Sequence, residues 1–199
     1  MQRSPLGDDP ARETSRQPAR AIAQRAAARF GRDRRGVAAV EFAFIAPLLI
    51  LIYFSVAELC QAMLAARKVQ HAASAVGDLV TQVGTITPSQ LSDVYSAASS
   101  ILAPYSTAPM GIRVTSVTTD ALGNATVAWS NSQNMSALAK GSSVTLPSSL
   151  LGPSQSVVMS EVQYTYQSPL NYLFKNALNF DQTFYLRPRV SATVTCTTC

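Results

Sequence analysis

The residues in this chain that could do chemistry are few and widely spaced. Glu41 sits inside an apolar run, flanked by Val40 and Phe42. Glu58 lies further along the same run, roughly 260° around an ideal helix, so the two acids do not share a face. Cys196 and Cys199 form a C-T-T-C pair, Cys60 lies in the apolar run, and His71 is the single histidine. Arg187 and Arg189 alternate near the C-terminus, where a solvated face or a partner contact would each account for them. General acid–base chemistry needs positioned titratable groups, and one histidine with few acids outside the apolar run offers little. Zinc would need two ligands beyond the cysteine pair. A redox Cys-x-x-Cys expects a βαβ unit before it, and no such pattern precedes this one. A local disulfide fits an oxidising compartment; two free thiols is the other reading. No phosphate loop, zinc-protease helix or Ser/His/Asp set is present. The expectation is a non-enzyme without a metal or other cofactor.

An acid in an apolar helix is costly, by about 2.5–3.5 kcal/mol at the bilayer centre, and is a functional candidate for that reason. Glu41 is shallow, so its cost is smaller; simple snorkelling to the interface is the bland account. A cut after Gly36 would place the new α-amine of Val37 one helical turn before Glu41. Amine and carboxylate could then neutralise each other, or a neighbour's, at the membrane edge.

The element that positions these groups is a membrane helix. Phe42 to Ala57 carries no charge, and Val37 to Ala57 carries only Glu41. A hydrocarbon core of about 30 Å takes roughly 20 such residues. The run exceeds a signal-peptide h-region and has no A-x-A site, and Pro47 is tolerated in lipid. A transmembrane helix is assigned to 37–66, a basic leader to 1–36 and an α+β domain to 67–199. Residues 1–35 hold nine arginines against four acids, whereas the remainder balances seven basic against seven acidic residues. Arg25, Arg29, Arg32, Arg34 and Arg35 precede the span, against Arg67 and Lys68 after it, so the N-terminus is expected in the cytoplasm. With Phe30 alone among them, the arginines have no aromatic interleaving to support nucleic-acid binding. Residues 84–199 hold 33 Ser/Thr and nine charged residues, consistent with an extracytoplasmic module. Residues 1–30 read as mostly disordered, with a short helix around Ala19–Ala28.

Beyond the span, Val69, Ala72, Ala73, Val76, Leu79, Val80 and Val83 form an apolar stripe, so one helix from Val37 to Val83, about 70 Å long, is expected. Thr87 and Pro88 read as an N-cap and first helical residue. That helix carries Leu91, Val94, Ala98, Ile101 and Leu102 and ends before Pro104. The period then falls to two. Ile112–Thr119 and Ala125–Ser130 flank a turn with Asp120, Gly123 and Asn124, a hairpin pattern. Residues 131–155 read as loop, with a short strand at Val144–Leu146. Val157–Tyr166 reads as a strand with Val162, Tyr164 and Tyr166 on one face. A short helix is expected over Leu170–Leu178 and a terminal strand over Phe184–Val194, with Pro188 marking an edge or bulge. The fold class is α+β: a long N-terminal transmembrane helix continuing into an exported domain with a small antiparallel sheet.

Basic residues, then Gly36, then an apolar run with glutamate at position 41, look like a class III (type IV prepilin-like) processing signal. More specifically, RRGVAAVEFAFIAPLLILIYFSVAEL resembles the TadE-like family of tight-adherence (Flp-type) pilus assembly. The resemblance rests on Gly36, Val40-Glu41-Phe42, Pro47, Glu58 and the QHAAS segment, with looser likeness at EVQYTY and YLRPR. It is strong over residues 34–75.

The resemblance implies a pilin-like architecture and a minor pseudopilin or assembly factor in the inner membrane, with a periplasmic domain. Gly36 and Val37 would flank a prepilin-peptidase cleavage site, and Glu41 would position the subunit in the assembly. Implied partners are the lipid bilayer, pilin or pseudopilin subunits, the assembly platform and the peptidase. Ala38, Ala39, Ala43 and Ala46 would permit close helix approach. An anchored extracytoplasmic enzyme and an anchored periplasmic binding or envelope module unrelated to pili are the competing readings.

Overall fold

The structure, a computed structural model, describes residues 35–147 and 150–199. The rest of the arginine-rich leader, including the helix expected around Ala19–Ala28, lies outside the described residues. In chain order the elements are α1 (Arg35–Thr81), β1 (Thr85–Ile86), α2 (Pro88–Leu102), β2 (Met110–Thr119), β3 (Ala125–Gln133), β4 (Ser156–Tyr166), β5 (Leu178–Leu186) and β6 (Thr195–Cys196). The fold is α+β. The chain divides into two compact units between Leu51 and Ile52.

The described part of the first unit is helix. Its large apolar side chains, from Val37 through Phe42, Phe44, Ile45, Leu48, Leu49 and Ile50, are all exposed. They point to every side of the helix, whereas an amphipathic helix packed on a core shows one apolar stripe. Such a surface is stable where the solvent is hydrocarbon. Pro47 lies inside the helix. α1 is long and apolar enough to cross a bilayer, and it is the one such helix among the described residues.

In the second unit α1 changes character. Ala62, Ala65, Val69, Ala72, Ala73, Val76 and Val80 are buried at spacings of three and four, the stripe of a helix lying on a core. Leu79, expected in that stripe, is exposed. The small residues let the helix approach the sheet closely: Ser160 Oγ donates to the Ala73 carbonyl at 2.8 Å, and a Cβ on Gly77 would run into Leu186 Cδ1. α2 starts at a full capping box, with Thr87 and Gln90 each satisfying the other's backbone N–H. Leu91, Tyr95, Ala98 and Leu102 form its buried face. At its other end Lys68 Nζ donates to the carbonyls of Ile101 (3.0 Å) and Ala103 (2.7 Å).

The main sheet is antiparallel, in the order β3-β2-β4-β5. Ile112, Val114, Val158, Val162, Tyr164 and Tyr166 join the buried residues of α1 and α2 in one core. A bulge between Ser116 and Val117 shifts the β2–β3 register. Asp120 closes the hairpin, taking the backbone N–H of Leu122 and Asn124. Past β3 the chain doubles back along that strand, with Gly141 and Ser142 bonded to Val127 and a single bridge between Thr126 and Ser143. The short strand expected at Val144–Leu146 does not form; the bridge lies at Ser143, just before it, and blunts an otherwise open edge.

Two further elements differ from expectation. Leu170–Leu178 is irregular, not helical, and a strand begins at Leu178. The last long strand therefore runs Leu178–Leu186, not Phe184–Val194. Pro188 cannot donate to the ladder, and the chain leaves the sheet there as a strap. Val194 is fully buried, and its carbonyl accepts from Trp129 Nε1 at 2.7 Å and from Ser116 Oγ at 3.4 Å. The strap ends in β6, which pairs in parallel with β1, Thr195 opposite Thr85.

Candidate functional site

The N-terminal group of candidate residues lies on the first stretch of α1. Gly36, Val37, Val40, Glu41, Phe42 and Pro47 are all exposed there. A Cβ on Gly36 would meet nothing within 4 Å among the described residues, so packing does not explain the glycine. Ala38, Ala39 and Ala43 leave the helix backbone accessible to a neighbour. The arrangement can hold one carboxylate on an apolar helix surface and bring a second helix close.

Glu58 is placed quite differently. It is 1% exposed, although Val56, Leu59, Met63 and Leu64 around it are exposed apolar residues. Its carboxylate faces the loop between β4 and β5. Oε1 accepts from Ser168 Oγ and from the Tyr172 backbone N–H at 2.9 Å. Oε2 accepts from the N–H groups of Leu173 and Phe174, the latter at 3.3 Å. Four donors thus converge on one side chain, three of them backbone groups of consecutive residues. Hydrogen bonds to a charged acceptor are the strong ones, and a buried charge requires such partners. Glu58 fastens an irregular loop to α1.

Periodicity could not supply the partner, because Glu58 and Ser168 are separated by 110 positions. A signal for burial was present nonetheless: Glu58 stands one turn before Ala62 and so continues the buried stripe of Ala62, Ala65 and Val69.

The other candidates disperse. Cys196 and Cys199 are joined, with Cα atoms 5.6 Å apart. Cys60 is free and exposed on α1, and His71 is exposed on the same helix. Arg189 forms an ion pair with Asp78 of α1, and its backbone N–H donates to Thr81. Arg187 donates to the Leu150 carbonyl at 3.1 Å. Both arginines lie beyond the end of β5 and tie the chain down as it leaves the sheet.

An acid in an exposed apolar helix, preceded by an unpacked glycine and followed by a proline and a buried second acid, is a constellation that family comparison can place. Residues 36–78 match the model of the TadE-like protein family. That segment resembles the TadE-like family. The match includes Gly36, Glu41, Pro47 and Glu58, and it ends within the part of α1 that packs on the sheet. The TadE-like family implies a part in Tad/Flp pilus assembly. No curated protein and no solved structure matches the chain.

Proposed function

We propose that the protein is a single-pass inner-membrane component of a Flp/Tad-type pilus system, acting as a minor pseudopilin or assembly factor. Its N-terminus lies in the cytoplasm and its α+β domain in the periplasm. The observation that carries this reading is the TadE-like match over residues 36–78, falling on a helix whose first part is apolar on every side. The arginine excess before Gly36 supports the orientation.

The work is mechanical, not catalytic. The apolar surface of α1 holds the protein in the bilayer and packs on pilin or pseudopilin helices and on the assembly platform. The alanines at 38, 39, 43 and 46 allow that approach, because helices associate in lipid through close packing and polar contacts. Glu41 gives the helix one polar point in an apolar surface, which fixes register on a neighbour's amine or other donor. After cleavage between Gly36 and Val37 by a prepilin peptidase, that donor would be an α-amine one turn away or on the next subunit.

Two measurements test the reading. Glu41→Ala should abolish or strongly reduce surface pili in the native host while the protein still fractionates with membranes; normal piliation would remove Glu41 from the mechanism. Mass analysis of the membrane-extracted chain should show a start at Val37 for a processed pseudopilin. An intact N-terminus would instead make it a permanent anchor.

A further inference from the structure

The β4–β5 loop carries apolar surface that the fold does not use. Leu170, Tyr172 and Leu173 are each about half exposed, in a domain whose surface is otherwise rich in serine and threonine. The segment 167–180 contains no acid before position 181, and its one charge is Lys175. The loop does not hang free. Glu58 is buried to hold its backbone at Tyr172, Leu173 and Phe174. Folding alone would be served as well by polar side chains at the three exposed positions.

Where Glu58 holds the loop is the informative point. Glu58 directly follows the uncharged run that ends at Ala57, and Val56, Leu59, Met63 and Leu64 extend exposed apolar surface on α1 past it. A span of about 20 residues counted from Val37 would end near Ala57, so loop and helix would offer apolar side chains together close to where the helix leaves hydrocarbon. Tyrosine is enriched at that level, with its ring in the acyl boundary and its hydroxyl among headgroups. Lysine reaches from there to phosphate. We propose that the 168–174 loop is an interfacial membrane-binding element. It seats Leu170, Tyr172 and Leu173 in the headgroup–acyl boundary of the bilayer that α1 crosses, and Glu58 is its positioning residue. The proposal rests on α1 spanning the membrane. Its consequence is that the domain is held against the bilayer at two places, by the helix and by the loop, which restricts swivelling about a single anchor.

The test uses the full chain in phosphatidylcholine–phosphatidylglycerol nanodiscs. Tyr172→Trp reports the loop, Leu49→Trp reports the span, and the parent with Trp129 alone gives the background. Tyr172→Trp should lose emission with lipids brominated near the headgroup, and Leu49→Trp with lipids brominated deep in the chain. Quenching of Leu49→Trp without quenching of Tyr172→Trp overturns the loop proposal and leaves the span intact. Quenching of neither overturns the span and the proposal together. Adding Glu58→Gln to Tyr172→Trp should reduce the headgroup-level quenching while circular dichroism stays unchanged. Unchanged quenching in that variant removes Glu58 as the positioning residue. Leu170→Ser with Leu173→Ser, which touches no buried group, should lower the quenching at Tyr172→Trp as well; no change there counts against insertion.

Discussion

Arg113 and Glu161 face each other across β2 and β4 as directly opposed residues, joined by two parallel hydrogen bonds of 2.6 and 2.9 Å. Both side chains are only 17% exposed. Arg113 also donates to the Ser136 carbonyl at 2.8 Å, so one guanidinium fixes the strand pair and the segment that follows β3. The bond to Glu161 holds the guanidinium pKa above its ordinary value, against burial, which acts the other way. Arg113→Met would leave a largely buried carboxylate unpaired, and the expected loss is about 2 kcal/mol. Arg113→Lys keeps the charge but not the fork, and should recover only part of that loss. Urea unfolding of the detergent-solubilised chain, in a double-mutant cycle with Glu161→Gln, measures both.

Glu58→Ala should release the β4–β5 loop. Chymotrypsin would then cut at Tyr172, Leu173 or Phe174 faster than in the parent, because local opening governs cleavage when closing is fast. Glu58→Gln should fall between the two, since its amide nitrogen would present donors to backbone N–H donors. Equal cleavage of parent and both variants would show that the loop is held by other contacts.

The β2–β3 turn should respond to acid. The Asn124 side-chain amide, with the Asn124 backbone N–H, holds the Asp120 carboxyl below its ordinary value; burial opposes, and the Leu122 and Gly123 N–H groups add smaller lowering contributions. A carboxylate whose folded value is depressed contributes stability above its unfolded value and loses it as pH falls through the folded one. The amide shifts of Leu122 and Asn124 should therefore titrate with a midpoint below that of a free aspartate. Asn124→Ala should move that midpoint up; an unmoved midpoint would dismiss the amide as the cause.

Lys68 lies over the C-terminal carbonyls of α2, where a cation offsets the negative end of the helix dipole. Lys68→Met retains most of the packing and removes the charge. The expected cost is about 0.5–1 kcal/mol, measured as a lower urea midpoint that high salt brings closer to the parent.

The parts of the fold legible in the sequence were those fixed by local rules. Thr87-Pro88 announced α2, because capping is decided within one turn. The alternation either side of Asp120, Gly123 and Asn124 announced the hairpin. Leu178–Leu186 was hidden because Gln182 occupies an inward-facing register position, which breaks the apolar alternation on that face. The apparent alternation from Phe184 to Val194 was misleading: Val190 is 68% exposed, and Pro188 interrupts the ladder. At the site, the likeness to the TadE-like family over 36–78 was legible because it lies in spacing along one helix. The Glu58 contacts were not, because three of their donors are backbone N–H groups, which every residue but proline supplies.

The strap that carries Val194 beneath the Trp129 indole also sets a folding schedule. Thr85 and Thr195, whose hydroxyls meet at 3.0 Å, stand 110 positions apart, so their pairing closes a very long loop and gains nothing until the intervening strands have aligned. The helices and the β2–β3 hairpin can form from nearby contacts; the indole finds its acceptor, 65 positions along, only once the strap is seated. A partly made domain would meanwhile display an unfilled seam beside Trp129 and an unpaired Thr85–Ile86 segment. That interval is when a chaperone or protease would find it most easily.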